Sequence, residues 1–457
     1  MSVPPPVDES RVGKGEILAY GSGNFAEMMV FAPATTFVVF FYTDVAGIAA
    51  ATVSTLLLIS RAFDLLNPIA GILVDRTHNR FGKARPWLLW LAVPFGLCAV
   101  LLFSAPSLSP FGKVTYAFIT YNLALTVLYP FIDVPFTALM SLITRDQHTR
   151  TTLNLSRMIQ AQTGGLVSFA ITLPLVKVFG GGAHGWQKAY IVFGTAATIL
   201  LFICFLATKE RVRPALAAIS DTSFKDSASS LMRNRYWLLM GGIISVVFVM
   251  MGLYAANPYY CRYFLRDVDR FGPLMTAYQA SLVAGMLAAG PIIKNLGKRK
   301  TGLLGVAVAV FGQLVMYLAP TSYAFVLAGT VIKALGISPL LGTLFAMVAD
   351  SLEYGEWKFG IRAEGLAFGT IVLAAKMCIG LGNVLVGWLL GMAGYVNAAG
   401  IQAAPVLLAV KGLFLYLPLA LLLTAGILLW TNKLEKQYSS IVAELTLRRD
   451  AAEHTRS

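Results

Sequence analysis

The chain has 457 residues, of which 57% are hydrophobic and only 13% charged, and its formal net charge is +14. A soluble domain carries about a quarter charged residues, and the apolar blocks here reach the roughly 20 residues that cross a bilayer, so a soluble globular fold is excluded. The basic excess sits in short loops between those blocks rather than in a stripe or tail, which excludes a nucleic-acid partner and marks membrane orientation instead.

The first 16 residues are polar and hold no short apolar core, so the first span itself is expected to insert, uncleaved. Twelve spans are expected. They lie near 17–42, 46–74, 86–104, 113–142, 155–178 and 188–208, then near 235–262, 273–293, 301–319, 323–349, 362–391 and 406–431. The polar stretch 209–234 is the one convincing linker. It divides the chain into a six-helix half at 1–208 and a second at 235–432, followed by a charged tail at 433–457 that reads as a short soluble helix. Lysine and arginine concentrate in the loops after spans 2, 4, 6, 8 and 10, which places both termini in the cytoplasm.

The halves echo each other. Span 2 is followed by Gly71, Asp75, Arg76, Arg80, Gly82, Lys83 and Arg85, and span 8 by Gly290, Lys294, Gly297, Lys298, Arg299 and Lys300. Six-helix halves related as repeats, with the substrate held near mid-membrane between them, are the plan of major facilitator carriers. The expected fold is therefore an all-α polytopic membrane protein with 12 transmembrane helices in two halves around a central cavity.

The four cysteines (Cys98, Cys204, Cys261, Cys378) are far apart with no C-x-x-C pattern, so no disulfide framework and no metal site is suggested. The four histidines fall in loops or the tail, and no cofactor is implied. An intramembrane enzyme or sensor is the rival from another class. It lacks an H-E-x-x-H or G-x-S-x-G signature, an intramembrane histidine and an appended soluble domain. No P-loop appears, so a primary pump is excluded on this chain.

Charges inside spans cost roughly 2.5–3.5 kcal/mol each at the helix centre, so each needs a partner or a wet cavity. They are Glu27 in span 1, Arg61 and Asp64 in span 2, Asp133 in span 4, Arg157 in span 5, Lys333 in span 10 and Lys376 in span 11. Three acids and four bases nearly cancel, as a shared polar cavity requires. Arg61, Asp64 and Asn67 step by three, and Tyr129, Asp133 and Thr137 by four, so each set shares a helix face. A carboxylate so placed stays ionised beside a cation or takes a proton when the cation leaves, which is the basis of proton-coupled transport. These pairs also fit interhelical clamps without substrate contact.

Several motifs resemble one family. They are Tyr20-Gly-Ser-Gly23, Phe41-Tyr-Thr-Asp-Val45, Ile59-Ser-Arg-Ala-Phe-Asp-Leu-Leu-Asn-Pro68, Phe81-Gly-Lys-Ala-Arg-Pro-Trp87, Asp133-Val-Pro-Phe136 and Asp350-Ser-Leu-Glu-Tyr-Gly-Glu-Trp-Lys358 with Arg362-x-Glu364-Gly365. They are similar to the glycoside–pentoside–hexuronide cation symporters, in register from span 1 to span 11. The resemblance implies secondary transport of a glycoside, sugar or sugar acid in a bacterial inner membrane, by a monomer embedded in lipid. It implies that Asp133 and Arg157 bind sugar hydroxyls and that Lys376 neighbours the sugar and cation sites. The family's span-1 aspartate is Met28 here, preceded by Glu27, and its stacking tryptophan is Thr137.

The substrate candidates are Asp133, Arg157, Lys376, Tyr129, Thr137, Glu27 and Asn24. Sodium users in the family carry a second span-2 carboxylate and a span-4 threonine. Here the first is Pro68, or deleted, the second is Pro130, and Val372 stands near Lys376. One carboxylate among such neighbours makes a poor cage for a hard cation, so proton coupling, or none, is expected. The coupling candidates are Asp64, Arg61, Asn67 and Lys376, with Glu27 in reserve. Asp350, Glu356, Arg145, Arg362 and Glu364 are read as gating ion pairs on the cytoplasmic side, or equally as helix-end caps. Extra cations leave room for a carboxylated or sulfonated sugar. A lysolipid or other non-sugar substrate, or an uncoupled uniporter, stays open.

Overall fold

The computed structural model describes residues 12–66, 73, 76–77, 79–144, 146–212, 224–360, 364–396, 402–441, 443–445 and 447, with the side chains of 64–66, 141, 147, 148, 150, 151, 224–227, 364 and 365 left out. Among these, eleven helices are long and apolar enough to cross a membrane, and a shorter apolar helix, Ala50–Phe63, lies where span 2 was expected. Residues 67–72 of the expected span 2, with Asn67 and Pro68, lie outside the described residues.

In chain order the helices are α1 (Lys14–Phe40), α2 (Ala50–Ser60), α3 (Arg85–Leu102), α4 (Pro110–Tyr121), α5 (Tyr129–Ile143), α6 (Gln147–Val178), α7 (Gly182–Ala207) and α8 (Phe224–Arg233). Then come α9 (Arg235–Gly252), α10 (Asn257–Tyr263), α11 (Phe271–Leu296), α12 (Lys298–Leu318), α13 (Tyr323–Phe359), α14 (Glu364–Met392), α15 (Ala404–Lys411) and α16 (Leu417–Thr431). Their starts follow local chemistry. Asp146 caps α6 by accepting from the Thr149 N–H at 2.7 Å, and Asn234 caps α9 by accepting from Tyr236 and Trp237 N–H.

Several spans are not uniform helices. A π turn joins α4 to α5 at Asn122–Leu128, another joins α15 to α16 at Gly412–Tyr416, and a 3₁₀ turn joins α9 to α10 at Leu253–Ala256. Each is followed by a proline at the start of the next helix, at Pro130, Pro418 and Pro258. Proline has no N–H for the carbonyl four residues back and its ring crowds that carbonyl, so the turn before it loosens or tightens.

One compact unit comprises Met1–Ala217 with Val268–Thr276 and Asn383–Val406. In it α1 packs on α6 and α7, and α3 on α7. Glycines set the closest approaches: a Cβ on Gly96 would meet the Gly194 carbonyl oxygen at 2.6 Å. Helices in lipid associate through such small-residue contacts. Phe37, Phe41, Phe103, Trp186, Tyr190 and Phe271 form one aromatic cluster, with Phe103 stacked on Tyr190 at 3.7 Å between ring centres.

The other unit comprises Ala218–Asp267, Ala277–Gly382 and Leu407–Ser457. Its tightest pair is α12 on α13, where Gly312 faces Gly329 and Gly305 faces Gly336. The motif Tyr354–Lys358, expected in a loop, instead continues α13 to a left-handed Gly360 (φ 70°). Tyr354 and Trp357 pack there with Tyr236 and with Leu434, Ile441 and Leu445 of the tail. Burial of these rings holds in helical form a stretch whose polarity reads as loop.

The two basic turns share one device. Glu210, just past α7, accepts the N–H groups of Lys83, Ala84 and Arg85 at 2.8–2.9 Å. Glu435, just past α16, accepts those of Lys298 and Arg299 at 2.8 and 3.0 Å. A carboxylate on unsatisfied N–H groups at a helix start is favourable on both hydrogen-bond and dipole grounds. Gly82 and Gly297 have φ of 110° and 80°, and a Cβ at either would run into the glutamate carboxylate.

Candidate functional site

The polar site in the first unit is built from α1, α5 and α6. Glu27 on α1 is fully buried, and the Asn24 side-chain amide donates to its Oε2 at 2.9 Å. Its Oε1 is buried with no hydrogen-bond partner. Asp133 on α5 and Arg157 on α6 are its charged neighbours. Arg157 donates through Nη1 to Thr137 Oγ1 at 2.9 Å, while its Nε is buried without a partner. Tyr129 is buried one turn before Asp133 and stacks on Phe31 at 4.4 Å between ring centres.

Six of the seven expected substrate residues thus lie on these three facing helices. Lys376 lies half-buried on α14, in the other unit. Phe31 was missed by sequence reading, since a phenylalanine in an apolar span carries no signal of its own. Tyr20, part of a family motif with no role assigned, stacks on Phe136 at 4.7 Å and has Arg157 as an electrostatic neighbour.

Arg61 opens a 3₁₀ segment, Arg61–Leu66, in which residues three apart lie one above another. Its Nη2 donates to the Tyr121 hydroxyl at 2.6 Å. Tyr121 was another omission, although it stands eight residues before Tyr129 and so on the same side of an ideal helix. The Asp64 side chain, and all of Asn67, lie outside what is described.

Of the gating candidates, Asp350 accepts from Lys298 Nζ at 2.7 Å through both oxygens. That lysine belongs to the basic turn after α11 and was not foreseen as the partner. Glu356 is half-buried on the last turns of α13. Arg145, Arg362 and the Glu364 side chain are outside the described residues.

The family model for MFS/sugar transport proteins matches residues 19–436. The chain belongs to that family. An isoprimeverose transporter of Lactiplantibacillus pentosus is 33% identical over 96% of this chain and 92% of its own. The inner membrane symporter YicJ of Escherichia coli strain K12 is 32% identical over 90% of each. A crystal structure of a D-xylose–proton symporter shares the fold at a TM-score of 0.63, with 15% identity over 91% of this chain and 97% of its own.

The resemblance read from the motifs of spans 1 to 11 is borne out, and so is the major facilitator fold. As an MFS/sugar transport protein the chain is an integral membrane secondary transporter and not an enzyme. A buried acceptor and a buried donor left unmatched are costly alone.

Proposed function

We propose that the chain is a proton-coupled symporter of a glycoside, sugar or sugar acid, working by alternating access. The observation that carries the substrate class is the pair of partnerless buried atoms, Glu27 Oε1 and Arg157 Nε, beside Asp133. A sugar hydroxyl donates to one and accepts from the other, while the Tyr129 and Phe31 rings supply an apolar wall. The relatives support the class: one is named for isoprimeverose and another as a symporter.

Asp64 is the proposed proton carrier, one 3₁₀ turn beyond Arg61, with Lys376, carried over from the family pattern, and Asn67, in step with Arg61 and Asp64 by sequence spacing, as assisting groups. Sodium is disfavoured because Pro68 and Pro130 stand where sodium users have oxygen ligands. The moving bodies are the halves 1–208 and 235–432, joined by the linker 209–234, in a monomer. Both termini face the cytoplasm of a bacterial cell, by the distribution of Lys and Arg. Asp350, Glu356, Arg145, Arg362 and Glu364 form the inner gate, with Lys298 holding Asp350 in the present arrangement.

The test is uptake by proteoliposomes of labelled glycosides and sugar acids, with proton and sodium gradients imposed separately. A proton gradient is expected to drive accumulation, and Asp64→Asn to reduce it to downhill exchange. Accumulation driven by sodium at fixed pH would refute proton coupling. Failure of every sugar under both gradients would refute the substrate class and bring lysolipids forward.

A further inference from the structure

Lys333 lies on α13 and is only 5% exposed. It stands ten residues from the start of α13 at Tyr323, about 15 Å along the axis and so well inside the membrane. Its ammonium lies 5.8 Å from the centre of the Tyr254 ring and 5.9 Å from that of Phe414. Among the described residues no carboxylate pairs with it. Ring faces attract a cation but do not neutralise it, so among the described residues the Lys333 ammonium has no counter-charge.

The surroundings are built rather than incidental. Tyr254 sits in the 3₁₀ turn Leu253–Ala256 and Phe414 in the π turn Gly412–Tyr416, so two helices are irregular where they flank the lysine. Irregular backbone at this depth persists where protein covers it or where it lines a cavity, and such turns gather at functional sites. The contact of Gly312 with the α13 backbone at Lys333 brings α12 close. Gln313 then donates to the carbonyls of Phe414 and Leu415 at 2.9 and 3.1 Å, the former being the carbonyl that Pro418 leaves without an N–H. Its own Oε1 is buried with no partner. The Tyr254 and Tyr278 hydroxyls are hydrogen-bonded to each other, and Tyr254 is only half-buried.

We propose that Lys333 is the recognition residue for an anionic group, the carboxylate or sulfonate of an acidic sugar. The anion accepts from the ammonium, and a neighbouring ligand hydroxyl donates to Gln313 Oε1. Entry is past the Tyr254 ring. The inference rests on the sugar-transport reading and narrows it from sugars in general to acidic ones.

The test is titration calorimetry on the purified full-length protein with the matched pair methyl β-D-glucuronide and methyl β-D-glucoside. Thermal shifts with acetate and methanesulfonate are measured in parallel. The wild type is expected to bind the glucuronide about tenfold or more tighter than the glucoside, as loss of a charge-assisted hydrogen bond implies. In Lys333→Met that ratio falls to about one, and Lys333→Arg, which keeps the charge, restores part of it. A wild type that binds the sugars without preference for the glucuronide, or Lys333→Met keeping the preference, overturns the proposal. The wild-type comparison decides even where the variant does not fold. If neither sugar binds but the simple anions stabilise the wild type and not Lys333→Met, the anion site stands and the sugar reading falls. If nothing tested separates the two proteins, the anion site falls.

Discussion

Glu27 and Asp64 are both carboxylates on spans of the first unit, and the proposed function gives them different work. Glu27 is tied at one oxygen by Asn24 and open at the other. Glu27→Gln keeps a side chain of the same shape and an acceptor oxygen but loses the charge. It is therefore expected to weaken sugar binding about tenfold, as a charge-assisted bond becomes a neutral one, with accumulation still coupled to protons. A proton-uncoupled Glu27→Gln with unchanged affinity would transfer the carrier role to it. Arg157 combines a hydrogen bond to Thr137 with a free Nε. Lysine cannot reproduce that fork, so Arg157→Lys is expected to cost roughly tenfold or more in ligand affinity, read as Kd by calorimetry, while the melting temperature holds.

At the scale of elements, the glutamate clasps carry a graded expectation. Glu210 holds three N–H groups at the start of α3 and Glu435 holds two at the start of α12. Replacement of a capping group costs about 1 kcal/mol, more where several donors are orphaned. Glu210→Ala should therefore lower the melting temperature more than Glu435→Ala. Equal shifts, or none, would mean that solvent satisfies those donors. The apolar blocks made the helices legible, but not their irregular turns. Pro130, Pro258 and Pro418 follow these turns in the chain, but whether each turn widens or tightens depends on neighbours. Gln313 on α12 reaches the freed carbonyl of Phe414 across 101 residues of sequence, which no local pattern announces.

Across the whole molecule, the repeat first noticed as two basic turns extends to their partners. Gly82 with Glu210 and Gly297 with Glu435 reproduce one arrangement at corresponding places in the chain. The glycines and cations were legible because they are local; the glutamates were not, since each meets its turn from more than 120 residues away. A separation of 52 residues hid Lys298 as the partner of Asp350, and burial against the tail hid the helical form of Tyr354–Lys358. The candidate site residues Asp133, Arg157 and Glu27 were readable because charge inside a span is costly enough to announce itself. Lys333 announced itself in the same way, but its aromatic cage did not.

The most direct test of the account is the pH of a lightly buffered suspension of proteoliposomes when a transported sugar is added without any imposed gradient. Downhill sugar entry that alkalinises the medium, and fails to do so in Asp64→Asn, is the predicted result. Sugar entry with no proton movement in the wild type would contradict proton coupling and leave a uniporter or a different coupling ion.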